Sequence, residues 1–294
     1  MMKIKWRMPD SINFKKRLIG HTDEIWRLTE LSNGDFLSGS ANGEIYIWDI
    51  EKSSIKAKLL GHSGAVTSFL ELPNQYLVSG SEDKSAIIWN INTRTIIKKL
   101  EEHTEEVYCL ANLPNFHLAT GALDKSIIIW DLNDYSIKNK LIGHTFGVMS
   151  LAVLPNQDLV SGSADSSIII WNLNDGKIRK KLEGHTDLIH EVLLLPNGDL
   201  VSASYDYSIL IWDLDSYTVK RNLTGHTSFI YSLDVLPSGD LVSSSHEGSI
   251  IIWDLNDGTI KSKLMHTGPV SSLKVLSNGD LASGSAGKLI KIWG

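Results

Sequence analysis

Residues 143–172 read GHTFGVMSLAVLPNQDLVSGSADSSIIIWN, and the way this run alternates and turns decides the fold. Residues 148–154 are apolar with small polar interruptions, the pattern of a strand with one well-covered face. Pro155-Asn156-Gln157-Asp158 then reverses the chain, and copies elsewhere carry Asn-Gly at that point, the tight hairpin signal. Residues 159–163 make a second strand and Ala164-Asp165-Ser166 a second turn. Ile168-Ile169-Ile170-Trp171 is a β-branched run, apolar throughout, as expected of a strand covered on both faces. Beyond it, Asn174-Asp175-Gly176 turns again and residues 177–182 alternate as a fourth strand.

The unit repeats. Trp48, Trp89, Trp130, Trp171, Trp212, Trp253 and Trp293 stand 41 residues apart five times and 40 apart once. His21, His62, His103, His144, His185, His226 and His266 keep step, each 27 residues before its Trp. The missing residue falls between Trp253 and His266, where Leu264-Met265-His266 replaces the longer Leu223-Thr224-Gly225-His226. A unit of this length cannot cover its own apolar face, so neighbours must stack, and a period of about 40–45 residues with four short strands marks propeller blades. Seven units predict an all-β, seven-bladed β-propeller of four-stranded antiparallel blades. Basic residues recur on the fourth strand, at Lys56, Lys58, Lys98, Lys99, Lys138, Lys140, Lys220, Arg221, Lys261 and Lys263. Positive charge on an outermost strand guards an exposed edge against pairing, which explains them better than a nucleic-acid belt does.

The seventh unit stops at Trp293-Gly294, one strand short. Phe14-Lys15-Lys16-Arg17-Leu18-Ile19-Gly20-His21 matches the end of the fourth strand of the other units, so residues 11–19 are expected to complete the seventh blade and close the ring. The whole of 1–294 then reads as one propeller, with repeats starting near the seven His residues. Ile4-Lys5-Trp6 looks like the end of another third strand; Trp6 is either a surface anchor or the remnant of a longer array.

These residues resemble the WD-repeat β-propeller family across essentially the whole chain. The family unit opens with Gly-His, here Gly20-His21, Gly61-His62, Gly143-His144, Gly184-His185 and Gly225-His226. It closes with Trp-Asp, here Trp48-Asp49, Trp130-Asp131, Trp212-Asp213 and Trp253-Asp254. Glu102-His103, Met265-His266, Trp89-Asn90, Trp171-Asn172 and Trp293-Gly294 depart from the pattern. The resemblance implies a buried hydrogen-bonded tetrad in each blade. Its members would be His62, Ser79, Asp83 and Trp89; His103, Thr120, Asp124 and Trp130; His144, Ser161, Asp165 and Trp171; and His185, Ser202, Asp206 and Trp212. Blades one, six and seven carry Asn42, Glu247 and Gly287 at the acidic position, so their networks are expected to be altered or water-filled, and blade seven to be the least stable.

Ser, His and Asp together suggest a hydrolase, but a nucleophile must stand exposed beside an oxyanion site, and a constellation repeated round a ring is structural. No catalytic residue, cofactor or metal is expected, since successive His fall on different blades and no cluster has ligand spacing. The single cysteine, Cys109, aligns with Ser68, Ser150, Ser232 and Ser272, which suits a small buried side chain and a reducing, cytoplasmic setting. Asn222-Leu223-Thr224 fits a glycosylation acceptor, but residues 1–10 lack the apolar segment of a signal peptide. The 294 residues carry a formal charge of −6 and no apolar run long enough to span a bilayer, so a monomer without nucleic-acid or membrane partner is expected.

Function then rests on columns that vary between repeats. Third and fifth after each His stand Glu24 and Trp26, Ala65 and Thr67, Glu106 and Tyr108, Gly147 and Met149, Leu188 and His190, Phe229 and Tyr231, Pro269 and Ser271. Before the acidic position stand Ala41, Glu82, Leu123, Ala164, Tyr205, His246 and Ala286. The resemblance implies that these columns ring the mouth of a central channel. Trp26, Tyr108, Leu123, Met149, Leu188, His190, Tyr205, Phe229, Tyr231 and His246, with Phe146 alongside, are the expected partner-binding residues of a non-enzymatic scaffold for a peptide or protein. The alternative is a purely structural module, cut from a larger regulator or built near its consensus, in which these side chains pack between blades.

Overall fold

The computed structural model describes residues 12–73 and 75–294; Trp6 lies outside them. The described residues form seven four-stranded antiparallel sheets. Blade four runs Val148–Val153, Leu159–Ser163, Ser167–Asn172 and Lys177–Glu183, in that order from the channel outward. The innermost strands of successive blades pack on one another in an unbroken circle.

What holds the circle is apolar burial shared between neighbours. Among the described residues there is one core cluster at each junction, and each mixes residues of two blades. Between blades three and four, Ile127 and Ile129 meet Val148, Leu159, Ile169 and Trp171. The β-branched third strands are buried on both faces, Ile168, Ile169 and Ile170 being at most 1% exposed. Close approach explains the Gly before His: a Cβ on Gly143 would lie 2.8 Å from both the Trp171 ring and Ile178.

Blade seven is ordered Phe14–Ile19, Leu289–Trp293, Leu281–Ser285, Val270–Val275, so the N-terminal strand supplies its outer edge and closes the ring. It copies the contacts of an ordinary fourth strand. Phe14 faces Trp293 and Leu18 faces Ile290, as Ile178 faces Trp171 and Leu182 faces Ile168 in blade four. Lys15 pairs with Asp280 at 2.6 Å, as Lys220 pairs with Asp199 and Lys261 with Asp240 at 2.7 Å. The fourth-strand cations therefore also bind carboxylates of the turns between first and second strands.

Each innermost strand carries a bulge next to its start. The register slips across Trp26, Thr67, Tyr108, Met149, His190, Tyr231 and Ser271, the fifth residue after His in every blade. A bulged residue has no partner in the ladder, and the strand bends there.

Leu18 is 1% and Leu182 2% exposed, so Leu18→Ala should destabilise as Leu182→Ala does, by about 2–5 kcal/mol. Equilibrium denaturation of both variants checks this. A much milder effect at Leu18 would mean that the closing strand is only loosely attached.

The channel mouth as candidate functional site

Two backbone features aim side chains at the mouth. The bulge turns the fifth residue after His out of the ladder, towards the axis. In every blade the carbonyl of the third residue accepts a hydrogen bond from the residue before the acidic position: Ala164 N to Gly147 O, Tyr205 N to Leu188 O and His246 N to Phe229 O are each 2.9 Å. Two loops are thus clipped together at the same height seven times over.

Inside this clip lies a cavity of about 520 Å³. Trp26, Tyr108, Leu123, Met149, Leu188, His190, Tyr205, Tyr231 and His246 line it, with Glu24 and the small side chains of Thr67, Ala164, Pro269, Ser271 and Ala286. Phe229 is not on the wall but stacks behind Tyr205, ring centroids 4.3 Å apart and 22° from parallel. Tyr231 stands edge-on to Tyr205 at 5.7 Å and shares a 2.9 Å hydrogen bond with His246 Nδ1. Phe146 lies outside the lining; it is 60% exposed, with Lys125 Nζ 5.5 Å from its ring. Leu123 has a packing duty of its own, because it covers Gly147, where a Cβ would come 2.4 Å from a Leu123 methyl.

Burial dominates the electrostatics of the wall. It pushes the Tyr108 and Tyr205 hydroxyls far up and drives the His190 imidazole down to about 4 despite neighbouring Glu191, so His190 is neutral at physiological pH.

The floor is an ion pair that sequence comparison missed. Arg27 Nη2 of blade one meets Glu191 Oε1 of blade five across the lumen at 3.0 Å. Both occupy the column after the bulge, where Cys109 and four serines stand. Elsewhere this column ties blade to blade: Ser150 Oγ accepts from Val192 N at 3.1 Å, Ser232 Oγ from Leu273 N at 3.2 Å and Ser272 Oγ from Leu28 N at 3.1 Å. Glu191 keeps that duty with its second oxygen, accepting from Leu233 N at 2.6 Å. Cys109 is buried, its thiol 3.6 Å from the Val148 carbonyl and raised in pKa by burial. Opposite charges four blades apart in an otherwise small, neutral column were the available signal.

The Ser-His-Asp groups lie away from this cavity. In blade four, Trp171 Nε1 donates to Ser161 Oγ at 2.8 Å, Ser161 Oγ lies 2.7 Å from His144 Nε2, and His144 Nδ1 lies 2.9 Å from Asp165. Asp165 also accepts from Thr145 N at 2.8 Å and Ser167 Oγ at 2.5 Å. Burial opposes ionisation of Asp165, but bonds from His144 and Ser167 outweigh it and hold the carboxyl well below its usual range. Blades two, three and five repeat the chain through Ser79, Thr120 and Ser202. With the Ser161 hydroxyl buried and the His144 side chain 0% exposed, no substrate can reach either.

The departing blades differ from one another. In blade six the longer Glu247 still reaches His226 Nδ1, at 3.2 Å, so the network closes in modified form. In blade one His21 keeps Ser38 at 2.6 Å and stacks on Tyr46 at 4.0 Å, but Asn42 turns to Ser40, and His21 Nδ1 has no partner among the described residues. In blade seven the shortened loop and Gly287 leave both His266 ring nitrogens without one, while Trp293 still donates to Ser283 at 2.8 Å. Among the described residues, no group of three or more His, Cys, Asp and Glu is placed to hold a metal ion.

The family model of the WD domain, G-beta repeat, matches seven successive segments, 12–49, 53–90, 94–131, 135–172, 176–213, 217–254 and 257–294. No match was found among curated proteins.

Two outcomes follow from the tetrads. Asp165→Ala strands His144 and the hydroxyl of Ser167, which should cost about 1–3 kcal/mol in denaturant unfolding; loss of a measured activity at unchanged stability would contradict a supporting role. Burial holds His21 and His266 down to about 4 from an ordinary 6.5. The unfolded chain therefore binds protons that the native state refuses between about pH 6.5 and 4, and stability should fall as pH drops through that window. His266→Asn should flatten part of the slope, which stability curves at several pH values would show; an unchanged slope would acquit His266.

Proposed function

The chain belongs to the WD domain, G-beta repeat family, and on that footing we propose that it is a non-enzymatic scaffold that docks a peptide or protein on its channel-mouth face. Propellers of this family are generally interaction scaffolds that bind proteins or peptides. The observation that carries the reading is the cavity wall of blades five and six. Tyr205, Tyr231 and His190 crowd together with Phe229 behind them, where other blades manage with Ala, Gly, Thr or Ser. Large, half-buried aromatic side chains held rigidly beside a concavity are the residue types that anchor partners. The buried tetrads offer no reaction site, which favours binding over chemistry.

Phe229→Ala combined with Tyr231→Ala should remove one wall anchor, worth about 1–3 kcal/mol at an interface, together with the ring that backs Tyr205, and leave the melting temperature nearly unchanged. Lys98→Ala with Lys99→Ala, on the outer strand Thr95–Leu100, should change neither. Affinity for a captured partner and thermal melting, measured on both doubles, decide. Unfolding of the aromatic double would make these side chains core, and loss of binding in the lysine double alone would put the partner on the outer belt.

A further inference from the structure

The two faces of the ring treat their carboxylates differently. On the face opposite the mouth, the acidic residues of the turns between first and second strands are neutralised one by one: Asp35 by Lys56, Asp158 by Arg179, Asp199 by Lys220, Asp240 by Lys261 and Asp280 by Lys15, all at 2.5–2.7 Å. On the mouth face, Glu24, Glu82 and Glu106 form no ion pair among the described residues, although Glu24 lines the cavity and the Tyr108 hydroxyl of its wall lies 3.4 Å from Glu82. The nearby cations are spent elsewhere. Lys84 binds the Thr104 carbonyl at 2.7 Å and Glu105 at 3.2 Å, Lys288 binds the Thr22 carbonyl at 2.6 Å, Lys125 sits over Phe146, and Arg27 is taken by Glu191 at the floor.

Three further observations agree. Burial, then the charge of Glu106, raises the Glu82 carboxyl, the mark of a carboxylate that lacks a cation. Burial raises the Tyr231 hydroxyl, and the charge of Glu24, two blades along the ring, adds to the shift. His190 bonds the Tyr231 backbone and is neutral, while its Nδ1, buried at the cavity wall, has no partner among the described residues. A ring nitrogen without its proton can only accept a hydrogen bond.

Aromatic faces, the unneutralised Glu24 in the cavity lining, Glu82 behind the Tyr108 hydroxyl with Glu106 beside it, and an idle acceptor are complementary to a group that is cationic, donates N–H bonds and lies flat on π-systems. Resting on the mouth-face reading above, we propose that the cavity takes the arginine or lysine side chain of a basic peptide segment, its charge held against the acidic arc of Glu24, Glu82 and Glu106 on blades one to three, which faces the aromatic wall of blades five and six.

The test uses the full chain and three labelled degenerate peptide pools of equal length, alike except for a fixed central Arg/Lys, Gln or Glu, read by fluorescence anisotropy. The basic-centred pool should bind about tenfold tighter than the Gln-centred one and weaken as salt is raised. Glu82→Gln with Glu106→Gln should lose about tenfold of that affinity with melting unchanged, and the outer pair Glu101→Gln with Glu102→Gln should lose almost none. Should the first double melt early, Glu24→Gln on the adjacent blade carries the same test. Equal binding of the Gln-centred pool that is still abolished by Phe229→Ala with Tyr231→Ala overturns the cation and leaves the mouth as a docking face. Equal losses at Glu101 and Glu102 reduce the effect to general charge attraction and also overturn it. Failure of every pool to bind overturns both readings.

Discussion

An indole N–H meeting a hydroxyl is the one side-chain hydrogen bond of the tetrad that all seven blades form alike. Trp48, Trp89, Trp130, Trp171, Trp212, Trp253 and Trp293 donate to Ser38, Ser79, Thr120, Ser161, Ser202, Ser243 and Ser283 at 2.7–3.0 Å. Indole has a single donor and no acceptor, so a buried Trp without this partner would carry the full desolvation penalty of its N–H. The bond ties the third strand to the second at a fixed depth and thereby sets how far the ring of the Trp reaches under the Gly of the preceding blade. Everything beyond it is allowed to vary. Blades one and seven lose the acid, blade six lengthens it, and the ring still closes, because burial at the junctions does not depend on the far end of the network.

The repeat architecture was readable because it is written in spacing. His-to-Trp distances, β-branched runs and the orphan strand at residues 14–19 each report a local or periodic property, and the N-terminal closure follows from counting strands. Column comparison also isolated the mouth residues, since positions that vary while their neighbours repeat are those the blade core does not dictate.

What escaped was whatever depends on distance across the lumen. Arg27 and Glu191 are 164 residues apart in the chain, and nothing in either repeat says that blades one and five face each other closely enough for their side chains to touch. Leu123 was misleading for a related reason: it looks free to vary, yet its bulk compensates for Gly147 in the next blade, a trade visible only when the two are side by side. Glu247 reads from the sequence only as an altered or water-filled network, because spacing does not register the reach of the extra methylene that keeps it closed. Phe146 likewise escaped through its direction, being 60% exposed beside Lys125 and outside the cavity lining.

A ring held only by contacts between neighbours is stiff along its circumference and soft in shape, because small tilts at each junction add up to an oval. The Arg27–Glu191 bridge is a chord. It joins blades separated by three others on one side and two on the other, close to a diameter, and anchors at both ends in backbone that is already tied into the inner strands. Ovalisation along that diameter would have to stretch a half-buried ion pair, so the mouth above it is held nearest to circular in the direction in which Trp26 faces His190, and the easiest breathing motion is left perpendicular to it.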